Sequence, residues 1–287
     1  MTQPILDVAD LRVAFSDTLV VKGISFHVGP GETLGIIGES GSGKSVTALA
    51  LAHLLPFNAR CESRRFVFDG QDMRDAGASR VDAGRGTGWA MVFQDPTGAF
   101  NPVKRIGWHF DQVLKRAARA RRPAAPPAAL LTAVGIKSPE RVLHSYPYQL
   151  SGGMLQRALI ALVAALKPKL IIADEPTTNL DKVIENQILD LLTEIREQVG
   201  ASVILITHDL LVAERACDRI AVMYDGELAE CGDTRAVLAQ PRHPYTRALL
   251  ESSRSLARGD ARLSEIPEEL KERLRRRAGR LDAEIQT

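Results

Sequence analysis

Only three cysteines occur in the 287-residue chain, Cys61, Cys217 and Cys231, and they lie far apart. No two have paired-ligand spacing, so the sequence supports neither a disulfide framework nor a zinc site, and a reducing compartment is the natural setting. Long apolar runs are also lacking. The most apolar stretch, Ala158 to Leu166, stops at Lys167-Pro168-Lys169. That is well short of the about 20 residues a bilayer span needs, and it suits a buried helix. The first ten residues carry Asp7 and Asp10 and no apolar run, which argues against a secretory leader. Charge of one sign is not in excess either: a net of +2 gives no global argument for nucleic acid as a partner.

What the chain does have is enough apolar content, 45%, to bury a sizeable core. The simplest organisation is one α/β domain with an insertion and a tail. Glu32 to Ile37 reads as a buried strand and Lys44 to Leu55 as a helix with apolar residues at helical spacing. Between them stand Gly38, Glu39, Ser40, Gly41, Ser42, Gly43, Lys44 and Ser45, followed by Val46, a full phosphate-loop pattern in a strand-to-helix context. Glycines let the backbone wrap closely around phosphate oxygens, and the amides and dipole of the helix start attract negative charge. Lys44 would reach the β and γ phosphates and the Ser45 hydroxyl would bind magnesium.

Leu170 to Ala173 form a second short apolar strand that delivers Asp174 and Glu175 to its C-terminal end, the ligand edge of an open parallel sheet. Asp174 would hold magnesium, and Glu175 would reach the water that attacks the γ-phosphate. Alone, two acids ending a strand would be a solvated pair. Here Pro176-Thr177-Thr178-Asn179-Leu180-Asp181 follows directly. Between the phosphate loop and this strand lies Leu150-Ser151-Gly152-Gly153-Met154, then Gln156 and Arg157, at the start of a helix running to Leu166.

A chain with these three motifs in this order resembles the nucleotide-binding subunit of an ATP-binding-cassette transporter. The resemblance implies an α/β fold: a RecA-like P-loop NTPase core with an antiparallel β layer and an inserted helical subdomain. It implies ATP and Mg2+ as cofactors and ATP hydrolysis coupled to transport. Further roles come with it. His208, after the strand Ser202 to Thr207 and before Asp209, a helix N-cap residue type, matches the family's switch histidine at the γ-phosphate. Gln94, in Met91-Val92-Phe93-Gln94-Asp95-Pro96, matches the glutamine that touches magnesium and the attacking water. Phe15, ending Leu11-Arg12-Val13-Ala14-Phe15, sits where an aromatic stacks on adenine, and Asp181 closes the DEPTT..LD pattern among the nucleotide-binding positions.

The family sandwiches each ATP between one subunit's phosphate loop and the partner's signature, so Ser151, Gly152 and Gly153 would act across a dimer of this chain or of this chain with a homologous ATPase. Met154 and Leu155 replace a more frequent glutamine and a common polar residue, and neither change removes a phosphate donor. The remaining implied partners are two integral membrane permease subunits and an extracytoplasmic substrate-binding protein, with this chain peripheral on the cytoplasmic face of the membrane.

The expected divisions are 1–95, the first part of the ATP-binding core with the antiparallel layer; 96–150, the helical subdomain with the signature at its end; 151–240, the rest of the core; and 241–287, a tail. Ile5 to Val28 reads as strands with alternating apolar positions, joined by a strand near Arg64 to Asp69. Lys115 to Arg122 is a basic cluster best read as a solvated helix face, followed by a proline-alanine run, Pro123 to Ala129. From Val183 to Val199, Ile184, Ile188, Leu191, Leu192, Ile195 and Val199 form the apolar stripe of a core-facing helix. Asp225-Gly226 separates Arg219 to Tyr224 from Glu227 to Cys231 in hairpin fashion. The final stretch, with Pro267-Glu268-Glu269 and then Lys271, Arg273, Arg275, Arg276, Arg277 and Arg280, reads as a mixed-charge tail.

Val92 to Pro102, Tyr146-Pro147-Tyr148-Gln149 and Arg242-His243-Pro244-Tyr245-Thr246 are similar to the peptide and nickel importer branch, over about Ile5 to Ser253. Many peptide-importing members of that branch carry a cysteine-containing C-terminal region, so against that resemblance the absence of cysteine after Cys231 argues against an iron-sulfur site and leans towards nickel or metal-chelate import over oligopeptide import. An alternative with identical ATP chemistry is a soluble cassette ATPase serving a multi-subunit enzyme, similar to carbon-phosphorus lyase accessories. A chromosome or DNA-repair ATPase would need a long coiled coil that the stretch between phosphate loop and signature is too short to hold.

Overall fold

The fold, a computed structural model, is described for residues 3–258 apart from 75, 78–80, 83, 123 and 179–180. A six-stranded sheet runs in the order β11-β10-β3-β9-β8-β7. Its strands are β3 (Thr33–Ile37), β7 (Trp89–Val92), β8 (Leu170–Asp174), β9 (Ser202–Thr207), β10 (Arg219–Tyr224) and β11 (Glu227–Asp233). Neighbours from β10 through β7 are parallel, and only β11 is antiparallel, on β10. The inner strands read as nearly continuous apolar runs because both faces are covered. Alternation divides them between two cores: Ile37, Ala173, Leu205 and Val222 point into one, while Ile36, Ile172, Ile206 and Met223 point into the other.

The second core is closed by an antiparallel layer in the order β2-β1-β5-β6, with β4 also on β1. These are β1 (Leu6–Phe15), β2 (Thr18–Val28), β4 (Ala59–Glu62), β5 (Arg65–Phe68) and β6 (Gln71–Asp72). The strand expected near Arg64 to Asp69 is β5; β4 and β6 went unforeseen, since both are short and exposed and show no alternation. Helix α1 (Lys44–Leu51) packs between the two sheets. It stops four residues before the expected Leu55, because His53 takes a left-handed φ of 53°. The amides of Leu54 and His53 then bond the carbonyls of Leu49 and Ala50, a Schellman motif with histidine where glycine is usual.

The first core is covered by helices. Between β7 and β8 the chain forms α2 (Ile106–Arg119), α3 (Pro127–Ala133), α4 (Pro139–His144) and α5 (Gly152–Leu166), around Phe110, Leu131, Val142 and Leu155. Two members of the basic cluster do more than face solvent. Arg116 donates to the carbonyls of Arg85 and Asp82, and Arg122 to those of Thr87, Leu166 and Lys167, tying the end of α2 to the loop before β7. Helix α6 (Lys182–Val199) buries Ile188, Leu191, Leu192 and Ile195, with Ile184 and Val199 packed at the margin.

The hairpin at Asp225-Gly226 is present, with β11 running to Asp233. After α7 (Leu210–Ala216) and β11 come α8 (Thr234–Ala239), inside the expected core segment, and α9 (Pro244–Arg258), at the start of the segment expected as a tail from residue 241. The basic segment around Lys271 to Arg280, and Asn179 and Leu180, lie outside the described residues. Among the described residues no helix is long and apolar enough to cross a membrane. All three cysteines are free; Cys217 is buried, and Cys61 and Cys231 are exposed.

Candidate functional site

Three central strands, β3, β8 and β9, end at one edge of the parallel sheet, and a cleft of about 960 Å³ opens there. The phosphate loop turns from β3 into α1 through Gly43, whose φ of 100° is strained for any L side chain. Lys44, 4% exposed, donates from Nζ to the carbonyls of Gly38 and Glu39 at 2.8 Å each. Burial lowers its pKa, while Glu175, Asp174 and Glu39 pull it back towards the charged form. The Ser45 hydroxyl donates to Asp174 Oδ1 at 3.1 Å. Burial pushes the Asp174 carboxyl above its ordinary pKa, and the Ser45 bond partly offsets this.

Glu175 follows with a left-handed φ of 43°, its amide held by the carbonyl of Ile206 on β9. A non-glycine residue in that region costs on the order of 1–2 kcal/mol and persists where the surroundings impose it. The turn aims the carboxylate into the cleft. There Glu175 Oε2 accepts from Thr178 Oγ1 at 2.8 Å and from Gln94 Nε2 at 3.3 Å, with His208 Nδ1 at 3.3 Å. Residues 94, 175 and 208, far apart in sequence, thus meet on one oxygen. Their strands bring them there: Gln94 lies just past β7, Glu175 past β8 and His208 past β9. Asp209 caps α7 by accepting from the amide of Leu211.

The cleft walls include Glu39, Ser40, Gly41, Gly43, Lys44, Ser45, Val46, Gln94, Glu175 and His208. Phe15 is not among them. It is half-buried at the end of β1, paired with Thr18 and Ala59, and Val20 on β2 stands at the cleft instead. Nor does Asp181 line the cleft; its carboxylate accepts from the amides of Val183 and Ile184 and caps α6. Ser151 caps α5, accepting from the amide of Met154 at 3.4 Å. Ser151 and Gly152 are exposed, and with Gly153 they lie outside their own chain's cleft.

Sequence reasoning missed several participants. Leu155, which stands where a polar residue is common in the family, is buried in the first core. The buried Gln156 donates from Nε2 to the carbonyl of Pro176 at 2.9 Å, joining the signature helix to the residue after Glu175. Thr178 sits on Glu175, and Lys182 lines the cleft while donating to Glu185 and Asp209. Leu249, Ser252 and Ser253 of α9 form a further wall. Proline at the first turn of α9 and the spacing of Tyr245, Leu249 and Ser252 carried the signal for that helix.

The family model described as "ABC transporter" matches residues 21–178, and that described as "Oligopeptide/dipeptide transporter, C-terminal region" matches 229–280. The second match runs well past Ser253. Among curated proteins, the chain is 43% identical over 271 residues to the probable peptide ABC transporter ATP-binding protein y4tR of Sinorhizobium fredii, covering 92% of this chain and 81% of that one. It is 41% identical over 271 residues to the oligopeptide transport ATP-binding protein OppD of Bacillus subtilis, with 92% and 76% covered. It is 42% identical over 268 residues to the dipeptide transport ATP-binding protein DppD of Haemophilus influenzae, with 91% and 81% covered. Among solved structures, the dimeric post-hydrolysis state of the ATP-binding cassette MJ0796, bound to ADP and Pi, superposes with a TM-score of 0.67 at 26% identity, covering 80% of this chain and 99% of that one.

Proposed function

The chain belongs to the ATP-binding-cassette transporter family, as an ATPase whose hydrolysis is coupled to transport, and from that premise we propose that it powers the uptake of di- or oligopeptides. The observation that carries the mechanism is the convergence of Lys44, Ser45, Glu175, Gln94 and His208 on one cleft from which the chain's own signature is absent, with Asp174 bonded to Ser45. Lys44 takes the β and γ phosphates. Glu175 is the general base: its Oε2 accepts the proton of the attacking water, which Gln94 orients. His208 sits beside the same oxygen and donates to the γ-phosphate as charge builds up there.

Ser45 and Asp174 are hard oxygen donors 3.1 Å apart at the phosphate end of the cleft, a pair that fits magnesium. Bound there, the ion would neutralise charge on the β and γ phosphates. The exposed Ser151 and Gly152 at the start of α5 supply γ-phosphate contacts to a facing subunit, a second copy or a homologous ATPase. The site therefore becomes complete only in a dimer. ATP binding closes that dimer, closure changes the access of two membrane permeases, and hydrolysis reopens it. The chain works from the cytoplasmic face, with cargo delivered on the other side by a substrate-binding protein.

Peptides are preferred to nickel chelates as cargo. The C-terminal match and the names of relatives 41–43% identical support peptides, and the missing cysteines are weaker ground for nickel. Uptake of a labelled dipeptide and a labelled nickel chelate, in cells carrying this chain or its Lys44→Ala variant, tests the assignment. Loss of dipeptide uptake alone is expected. Loss of nickel uptake alone would overturn the cargo, and no loss of either would favour a soluble accessory ATPase.

A further inference from the structure

We infer that Tyr245 is a positioning residue of the phosphate loop, and that through it the C-terminal helix α9 is part of the nucleotide site. The inference rests on the cleft's being the ATP site. Tyr245 is fully buried, and its hydroxyl accepts from the backbone amide of Glu39, the second residue of the loop, at 3.1 Å. A Tyr ring has two rotatable bonds, so once its ring is packed the hydroxyl has little freedom. Here the ring lies 4.4 Å, centroid to centroid, from that of Tyr224 at the end of β10. The start of α9 is also fixed: Glu230 on β11 accepts from the amides of Arg242 and His243 at 2.9 and 3.1 Å, and His243 Nδ1 accepts from the amide of Tyr245.

A second brace meets the loop from the same side. The amide of Gly226, at the β10–β11 turn, donates to the carbonyl of Ser42 at 3.1 Å. Two points of the loop, Glu39 and Ser42, are thus tied to elements that follow β9 in the chain. Amides in such a loop bind phosphate only if they are aimed before it arrives, and a fixed acceptor on Glu39 sets that aim. One helical turn and two turns beyond Tyr245, Leu249 and Ser252, with Ser253, line the cleft itself.

The test is binding of a non-hydrolysable ATP analogue with magnesium to the purified full chain, with hydrogen exchange of the loop followed in parallel. Tyr245→Phe keeps the ring and removes only the acceptor. Affinity is expected to fall roughly three- to tenfold, the range of one hydrogen bond to a backbone amide. Exchange at residues 38–43 should quicken while the melting temperature stays near wild type, which a merely structural role for the hydroxyl does not produce. Unchanged affinity and exchange in Tyr245→Phe would overturn the inference. Should that variant fail to fold, Ser253→Trp decides: a large ring at the α9 wall is expected to lower affinity at least tenfold, and wild-type affinity would be the adverse result. Lys44→Ala separates the two levels of argument. If it binds like wild type, the ATP-site reading itself fails; if it loses binding while Tyr245→Phe does not, only the role of α9 falls.

Discussion

Replacing Glu175 by Gln isolates the chemistry of the site from its architecture. The side chain keeps its shape, and the left-handed φ of 43° imposes the same backbone cost on Gln as on Glu. The carboxamide oxygen can still accept from Thr178 Oγ1, the shortest of the three contacts at 2.8 Å. What disappears is the capacity of Oε2 to take a proton while Gln94 Nε2 and His208 Nδ1 stand 3.3 Å away. Loss of a positioned general base slows turnover by about 10²–10⁴, or about 2.7–5.4 kcal/mol of barrier. ATP affinity should stay within about twofold, since Lys44 and the loop amides are untouched and uniform binding is unaffected. The assay is steady-state phosphate release by the assembled transporter at saturating ATP, beside analogue binding to the purified chain. Turnover within tenfold of wild type, with binding intact, would refute the role given to Glu175.

Asp174→Asn should trade activity for stability. Because burial raises the folded pKa of Asp174, the native state binds its proton more tightly than the unfolded chain does. Stability is therefore lost as pH rises through the folded pKa. The magnesium-free variant should melt above wild type at pH 7, by roughly 2 °C per kcal/mol for a chain of 287 residues. The gain should vanish below the ordinary aspartate pKa of about 3.9, and scanning calorimetry against pH checks both. Gly226→Ala should destabilise by about 2–4 kcal/mol in denaturant titration, because φ is 83° and the added Cβ would lie 2.4 Å from the carbonyl oxygen of Val20. Gln156→Leu should slow ATP turnover in the assembled transporter by several-fold while leaving analogue binding unchanged, since it leaves the Pro176 carbonyl beside Glu175 without its donor. Cys217, buried with its thiol pushed up to about 12, should resist maleimide at pH 8 until the chain unfolds, while the exposed Cys61 and Cys231 react; peptide mapping that finds Cys217 itself labelled rapidly in the folded chain would contradict that burial.

The cleft edge of the sheet was legible because each residue there follows a short apolar strand whose end the sequence marks. Ile37, Asp174 and Thr207 close strands within a residue of expectation, and Glu175 and His208 fall in the cleft. Phe15 illustrates where such reasoning stops. It ends its strand as expected, yet which side chain of a hairpin reaches a neighbouring layer depends on register, and the pairing puts Val20 at the cleft. Asp181 has the oxygen of a ligand and spends it on two helix amides, since a cap and a contact look alike in sequence. The early end of α1 was hidden because histidine, rather than glycine, occupies the left-handed position. Helix α9 was overlooked for another reason: Tyr245 and Thr246 served as branch markers, and the bond from the Glu39 amide to Tyr245 is a contact across 206 residues that no local pattern carries.

That separation also orders events during synthesis. Strand β3 leads into the phosphate loop, but both of its sheet neighbours, β9 and β10, begin after residue 200. At a translation rate of about 5–20 residues per second, 206 residues between Glu39 and Tyr245 take roughly 10–40 s to make. Until residue 202 is made the loop has its full motif but neither strand that flanks β3, and until residue 245 is made it lacks the hydroxyl that holds the Glu39 amide. A fragment ending before Arg219 therefore carries every residue of the phosphate loop without β10, Gly226 or Tyr245, so a late segment of the chain finishes the shape of an early one.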